Sequence, residues 1–177
     1  MNIDKISIGK NPPSEVNVII EIPGRGQPVK YEIDKESGAL FVDRFLMVSM
    51  NYPFHYGFIP HTLSDDGDPC DVLVISDTEV VPCSVIKSRP IGVLMMEDES
   101  GFDEKILAVP TEKLHPMYKD VKSIDDLPEI VLDRIKHFFE SYKALEKGKW
   151  VKVKGWHGVE KAKEMIEASI KRNSEKG

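Results

Sequence analysis

The sequence is first limited by what it lacks. No apolar run approaches the ~20 residues needed to cross a bilayer, and the opening stretch Met1 to Lys10 has no apolar core of the signal-peptide kind. Neither membrane association nor export is expected, which leaves the cytoplasm. Cysteine is scarce: Cys70 and Cys83 form no metal-type spacing, and in a reducing compartment they are free thiols whose expected role is packing. A basic excess is also missing. With 24 Lys and Arg against 30 Asp and Glu, the formal net charge is -6, whereas a nucleic-acid binder needs a basic patch to displace counterions from phosphates. The five histidines show no catalytic spacing with Ser or Cys, and neither a nucleophile elbow nor a Walker loop is found. Nothing visible calls for a covalent nucleophile, and internal repeats and low-complexity linkers are absent too.

At 177 residues the chain is long enough for one domain with a substantial core, so residues 1–177 are expected to form a single unit. Val16, Val18, Ile20 and Ile22 alternate with Asn17, Ile19 and Glu21, the period of a strand. After the break at Pro23 to Gly26, the run Val29 to Asp34 alternates again, with Lys30, Glu32 and Asp34 on one face. A hairpin between these two runs is the expectation. Ala39 to Phe45 supply a further strand carrying Asp43 and Arg44. The aromatic stretch Met50 to Pro60, interrupted by Pro53, reads as irregular chain or a short strand beside the core.

Further strands are expected at Val72 to Ile75, at Ser84 to Met96 with a bend near Pro90 and Gly92, and at Lys105 to Val109. Leu127, Val131, Ile135, Phe138, Tyr142 and Leu145 then recur at steps of three and four, which predicts a helix over about 128–146 ended by Gly148. A last strand follows at Trp150 to Lys154. A shorter amphipathic helix carries Val159, Ala162 and Ile166 before a charged tail. Many short strands followed by two helices point to a mainly β, α+β architecture: a small barrel or curled sheet with helices packed outside it.

The chemistry concentrates in Asp65 Asp66 Gly67 Asp68 Pro69 Cys70 Asp71, four carboxylates in seven residues. Like charges that close repel, so a bound cation would explain an ordered loop here. Hard oxygen donors without a His or thiolate cluster suit Mg²⁺ or Mn²⁺ better than zinc. Asp, Gly and Pro are also the ordinary residues of a solvated turn, and the stretch by itself fits either account. An EF-hand is excluded, because Gly67 follows the first ligand and Pro69 precedes a strand-like run. Glu21, Lys30, Glu32 and Arg44 lie on strand faces opposite the apolar ones, and a second acidic turn spans Glu97 to Glu104. Taken singly, each fits a solvated surface; together they could close over one mouth of a barrel, a common ligand site.

These motifs resemble the soluble, Mg²⁺-dependent family I inorganic pyrophosphatases of bacterial type. Asp66 to Val72 (D-G-D-P-C-D-V) matches the family signature. I-E-I-P at 20–23, K-Y-E-I-D-K-E-S-G-A-L-F-V-D-R at 30–44, N-Y-P-F-H-Y-G at 51–57 and H-F-F-E-S-Y-K-A-L-E-K-G-K-W-V at 137–151 follow in order. One departure is Cys70, where the signature usually carries an aliphatic side chain or Phe.

The resemblance implies a five-stranded, OB-like closed barrel with flanking helices, hydrolysis of pyrophosphate to two phosphates, and homo-oligomers, usually hexamers. It places Asp66, Asp71 and Asp103 on the first Mg²⁺, for which Mn²⁺ is the expected substitute, with Asp71 also reaching a second metal. Glu21, Glu32, Asp98 and Glu99 complete or support the metal sites. Lys30, Arg44, Tyr56, Lys105, Tyr142 and Lys143 contact phosphate oxygens, and Asp68 orients or deprotonates the attacking water. Tyr52 and Asp43 line the same cavity. The competing expectations are a metal-dependent phosphohydrolase for nucleotides or polyphosphate, and an OB-type nucleic-acid binding module.

Overall fold

The computed structural model describes residues 1–176. Its centre is a ring of strands: β1 (Val16–Ile22), β4 (His55–Phe58), β5 (Asp71–Val74), β7 (Gly101–Pro110) and β6 (Val85–Asp98) pair in that order, and β6 returns to pair with β1. This closes the five-stranded barrel that the resemblance implied, and of the two forms the strand pattern left open, barrel or curled sheet, it is the barrel. The β5–β7 pairing is parallel, because β6 carries the chain between them, and the other pairings in the ring are antiparallel. β8 (Val151–Gly158) extends the sheet beyond β6. β2 (Val29–Ile33) and β3 (Leu40–Phe45) form a separate two-stranded sheet.

Two apolar clusters hold these parts. One draws on β1, β5, β6 and β7 together with Ala162 and Ile166 of α2 (Val159–Lys176). The other joins Leu73, Leu94, Met96 and Leu107 to Ile135, Phe138, Phe139 and Tyr142 along α1 (Glu129–Ser141) and its end. Cys70 lies fully buried in the first cluster, and burial pushes its thiol up to about 12, so it stays protonated and acts as a small apolar side chain.

Several expectations change. The hairpin is formed by β2 with β3, not by the first two runs, since both edges of β1 are already taken by β4 and β6. Alternation fixes a strand's faces but not its partner. Of the two readings open for the aromatic stretch the short strand holds, and His55–Phe58 lies within the barrel, fully buried, rather than beside the core. Gly57 makes this possible: a Cβ there would lie 1.8 Å from the carbonyl oxygen of Ile19, so only glycine allows β4 to approach β1 this closely. α1 stops at Ser141, and the chain continues to Lys149 through turns with bonds such as Ala144 N–H to the Ser141 carbonyl at 2.9 Å. Leu145, counted in the apolar stripe, is 64% exposed. α2 runs on through the charged tail to Lys176.

Candidate active site

Strand register gathers the charged residues. Tyr56 stands opposite Leu73 on β4 and β5, while Leu73 stands beside Leu107 on the parallel β7. Two residues back along β5 and β7 lie Asp71 and Lys105, and two further back on β7 lies Asp103. Side chains two apart share a face. The surface that is apolar beneath α1 thus becomes ionic toward its end. Lys105 Nζ is held there between Asp71 Oδ2, at 2.6 Å, and Asp103 Oδ1, and it also lies 5.6 Å from the Tyr56 ring centroid. Burial opposes its charge, but the two carboxylates outweigh that and hold the ammonium well above the ordinary lysine range.

β-Bulges aim further side chains into this region. The β1–β4 register slips between Ile20 and Ile22, which makes Glu21 the extra residue. Its Oε1 accepts the Ile33 N–H at 2.7 Å and so ties the barrel to the hairpin. Burial raises the Glu21 carboxyl to about 8; the Ile33 N–H opposes the rise and Asp71 and Glu32 add to it. A second slip, between Lys30 and Tyr31, makes Asp43 the extra residue of β3 beside the cross-strand pair Lys30–Arg44. Lys30 Nζ reaches Asp43 at 3.3 Å and Glu32 at 3.5 Å.

The acidic stretch is an ordered turn. Ser64 N–H donates to the Asp68 carbonyl at 2.7 Å, and Asp68 N–H donates to Asp66 Oδ1 at 3.0 Å. Gly67 takes φ +93°, a conformation that favours glycine. Burial raises the Asp66 carboxyl, against the pull of the Asp68 N–H. Asp65 turns away to Arg172 on α2, 3.1 Å distant. Glu21, Lys30, Glu32, Lys35, Tyr56, Asp66, Asp68 and Asp71 line one cleft of about 110 Å³.

A second ionic group adjoins it. Lys143 Nζ lies 2.7 Å from Asp98 Oδ2 and 3.6 Å from Glu99, which also takes Lys149 at 2.6 Å. Burial works against ionisation of Glu99, yet the Lys149 hydrogen bond and the Lys143 charge bring it down to about 2. Asp98 is lowered in the same way, with the Lys143 contact overcoming burial. Tyr142 joins the two groups: burial raises its phenol, while Lys105 and Lys143 on either side draw it down. Arg44 Nη1 donates to Glu146 Oε2 at 2.9 Å, but Arg44 Nε and Glu146 Oε1 are buried without a hydrogen-bond partner.

Of the predicted site residues, Glu21, Lys30, Glu32, Tyr56, Asp66, Asp68 and Asp71 line this cleft. Lys105 meets it at Asp71 and carries Asp103 with it, Arg44 stands across from Lys30, and Tyr142 lies between Lys105 and the group of Lys143, Asp98 and Glu99. Sequence reading quotes Lys35, Glu146 and Lys149 within the matching stretches but gives them no role, because an isolated charge on a turn carries no periodic signal. Among the described residues, no three acidic, His or Cys side chains already close around one point as a metal cage does. The donor set nonetheless fits a hard divalent cation. It consists of carboxylates, two pairs of them already share an ammonium, and unmet polar capacity remains at Arg44 and Glu146.

A larger open concavity of about 710 Å³ lies elsewhere, lined by Lys10, Glu15, Lys87, Arg89, Glu112 and Lys113 among others. None of the residues predicted for the site lines it.

Comparison with known proteins identifies the family. The family model described as inorganic pyrophosphatase matches residues 18–174. An inorganic pyrophosphatase of Bradyrhizobium diazoefficiens is 61% identical over 99% of both chains, and one of Rickettsia bellii is 63% identical over 97% of this chain and 98% of its own. The crystal structure of inorganic pyrophosphatase from Thermus thermophilus superposes with a TM-score of 0.93 at 44% identity, covering 98% of this chain and 99% of that one. By the family model's match across most of its length, these relatives and the shared fold, the chain belongs to the inorganic pyrophosphatase family.

Proposed function

We propose that this cleft hydrolyses inorganic pyrophosphate to two orthophosphates by direct attack of water, with Mg²⁺ as cofactor and Mn²⁺ as its substitute. Asp66, Asp71 and Asp103 hold the metal, and Glu21, Glu32, Asp98 and Glu99 complete or support the metal sites. When bound, the metal neutralises the diphosphate and lowers the pKa of water from ~15.7 toward ~7. Asp68, exposed at the lip of the cleft, accepts the proton of the attacking water. Lys30, Arg44, Tyr56, Lys105, Tyr142 and Lys143 contact phosphate oxygens, and Arg44, Tyr142 and Lys143 stabilise the charge that develops on the leaving phosphate. The phenols stay protonated, since burial raises Tyr56 well above the ordinary tyrosine range and raises Tyr142 as well, so both donate rather than repel.

The observation that carries this reading is the interleaving of charge: Lys105 sits between Asp71 and Asp103, and Lys143 between Asp98 and Glu99. Such a lining offers oxygen to a cation and ammonium to a phosphate in the same space. The test is phosphate release from pyrophosphate, ATP and tripolyphosphate, with Mg²⁺ and with chelator. Pyrophosphate should be the fastest substrate and chelator should abolish release. Faster release from ATP would instead favour a nucleotide phosphohydrolase.

The chain acts as one domain in the cytoplasm, as a homohexamer, with no nucleic-acid or membrane partner. The oligomer is supported by Phe41, Phe45 and Met47, more than half exposed on and after β3, an apolar surface that a second copy can cover. Among the described residues no helix is long and apolar enough to cross a membrane.

A further inference from the structure

Lys35 has a place in the cleft but is assigned no role from the sequence. It follows β2 at the start of the turn to β3, where Asp34 Oδ2 accepts the Ser37 N–H at 2.7 Å and Gly38 N–H donates to the Asp34 carbonyl at 2.7 Å. Ile33 and Leu40, on either side of the turn, pack with Ile3, Ile6 and Phe58. The backbone beneath Lys35 is therefore fixed, while its four-carbon stem is not. Its Nζ reaches across to Asp68 Oδ1 at 2.8 Å, and Asp68 stands on the equally fixed acidic turn. Among the described residues this is the one ion pair that joins the β2–β3 sheet to the acidic stretch. Lys35 borders two cavities at once, the ionic cleft and a neighbouring one lined by His61 and Gly67, which places it at their shared lip.

The cations of the cleft follow a common pattern. Lys30 rests on Asp43 and Glu32, Lys105 on Asp71 and Asp103, Lys143 on Asp98 and Glu99, and Arg44 on Glu146. Each cation proposed to touch phosphate is thus held by a carboxylate, and Lys35 on Asp68 shares the arrangement. It differs in exposure. The Lys35 and Asp68 side chains are 54% and 66% exposed, so water competes for both and the pair opens readily. An ammonium that a weak contact holds at the entrance is available to an incoming anion.

We propose that Lys35 is a substrate-contacting cation of this site: it leaves Asp68 to pair with a phosphate oxygen of the entering diphosphate, and its departure frees Asp68 Oδ1. This rests on the reading of the cleft given above, and it adds a binding contact at the lip. The test compares the full-length parent with Lys35→Met and Lys35→Arg. It measures KM and kcat for pyrophosphate, the inhibition constant of non-hydrolysable imidodiphosphate, and Tm.

For Lys35→Met, KM and the inhibition constant should each rise about tenfold, the ratio that ~1.4 kcal/mol produces, with a smaller change in kcat. Lys35→Arg should recover most of the loss, and Tm should move little in either variant. KM and inhibition constants within twofold of the parent in Lys35→Met would overturn the proposal, as would a fall in kcat alone, which would mean that Lys35 only positions Asp68. Asp68→Asn separates this from the underlying reading. If that variant kept its kcat while Lys35→Met raised KM, the role of Asp68 as base would fail and the Lys35 contact would stand.

Discussion

Two charged hollows of this molecule differ in how their charges are paired. The open concavity is several times larger, about 710 Å³ against about 110 Å³, yet among the described residues none of its cations, Lys10, Lys87, Arg89, Lys113 and Lys122, has a carboxylate within ion-pair reach. In the cleft, Lys30, Lys35 and the neighbouring Lys105 are all paired at 3.5 Å or closer. Unpaired lysines on a rim are what a solvated surface gives at no cost. Placing carboxylate and ammonium together in partly buried space costs desolvation, which makes the cleft the candidate site of the two.

The comparison breaks most visibly at Lys105, whose side chain is only 6% exposed. Lys105→Met leaves Asp71 and Asp103 facing each other, and loss of one partner of a buried pair costs on the order of 3 kcal/mol. For a chain of this length that lowers Tm by roughly 6–12 °C, measurable by thermal unfolding without metal. Adding Asp103→Asn should restore part of it. A Tm within a degree or two of the parent would show that the pairing is not energetically significant.

A smaller effect is expected away from the site, at His55. Its Nδ1 accepts the Gly24 N–H at 3.0 Å, so Nε2 carries the proton and donates to the Thr78 carbonyl at 2.9 Å. Burial lowers the imidazole below its ordinary value, while the Thr78 carbonyl opposes the shift. The unfolded chain takes up a proton near pH ~6.5 and the folded one resists. Stability from this group is therefore full above that pH and lost as the pH falls below it. Denaturant titrations at pH 7.5 and 5.5 should show the parent losing about 1 kcal/mol more than His55→Gln, whose amide supplies both an acceptor and a donor. Equal losses would remove His55 as the cause.

The smallest effect sharpens the contrast from the other side. The double variant Lys10→Ala and Lys87→Ala, in the open concavity, should leave kcat/KM for pyrophosphate within twofold. A tenfold loss would show that this hollow serves the reaction after all.

Much of this arrangement was legible because period and composition fix faces. Alternation placed Lys30 with Glu32 and separated both from Val29 and Ile33, and the three-and-four spacing placed Phe138 and Tyr142 on one side of α1. Partners were less legible. Nothing in the alternation of β1 says that its edges are filled by β4 and β6, and Gly57, which allows that contact, reads locally as a strand breaker. The bulges at Glu21 and Asp43 depend on register, a property of two strands at once. The resemblance named the carboxylates and cations residue by residue, whereas the Lys35–Asp68 contact spans 33 residues and exists only in three dimensions.

The central claim is that these carboxylates hold divalent metal around Asp71, and calorimetric titration of Mg²⁺ into the parent and into Asp71→Asn tests it most directly. The account predicts saturable binding in the parent and loss of at least one site in the variant, with the fold retained by circular dichroism and turnover down by about a hundredfold or more, the scale of ~3 kcal/mol. Identical titrations for parent and variant would contradict it.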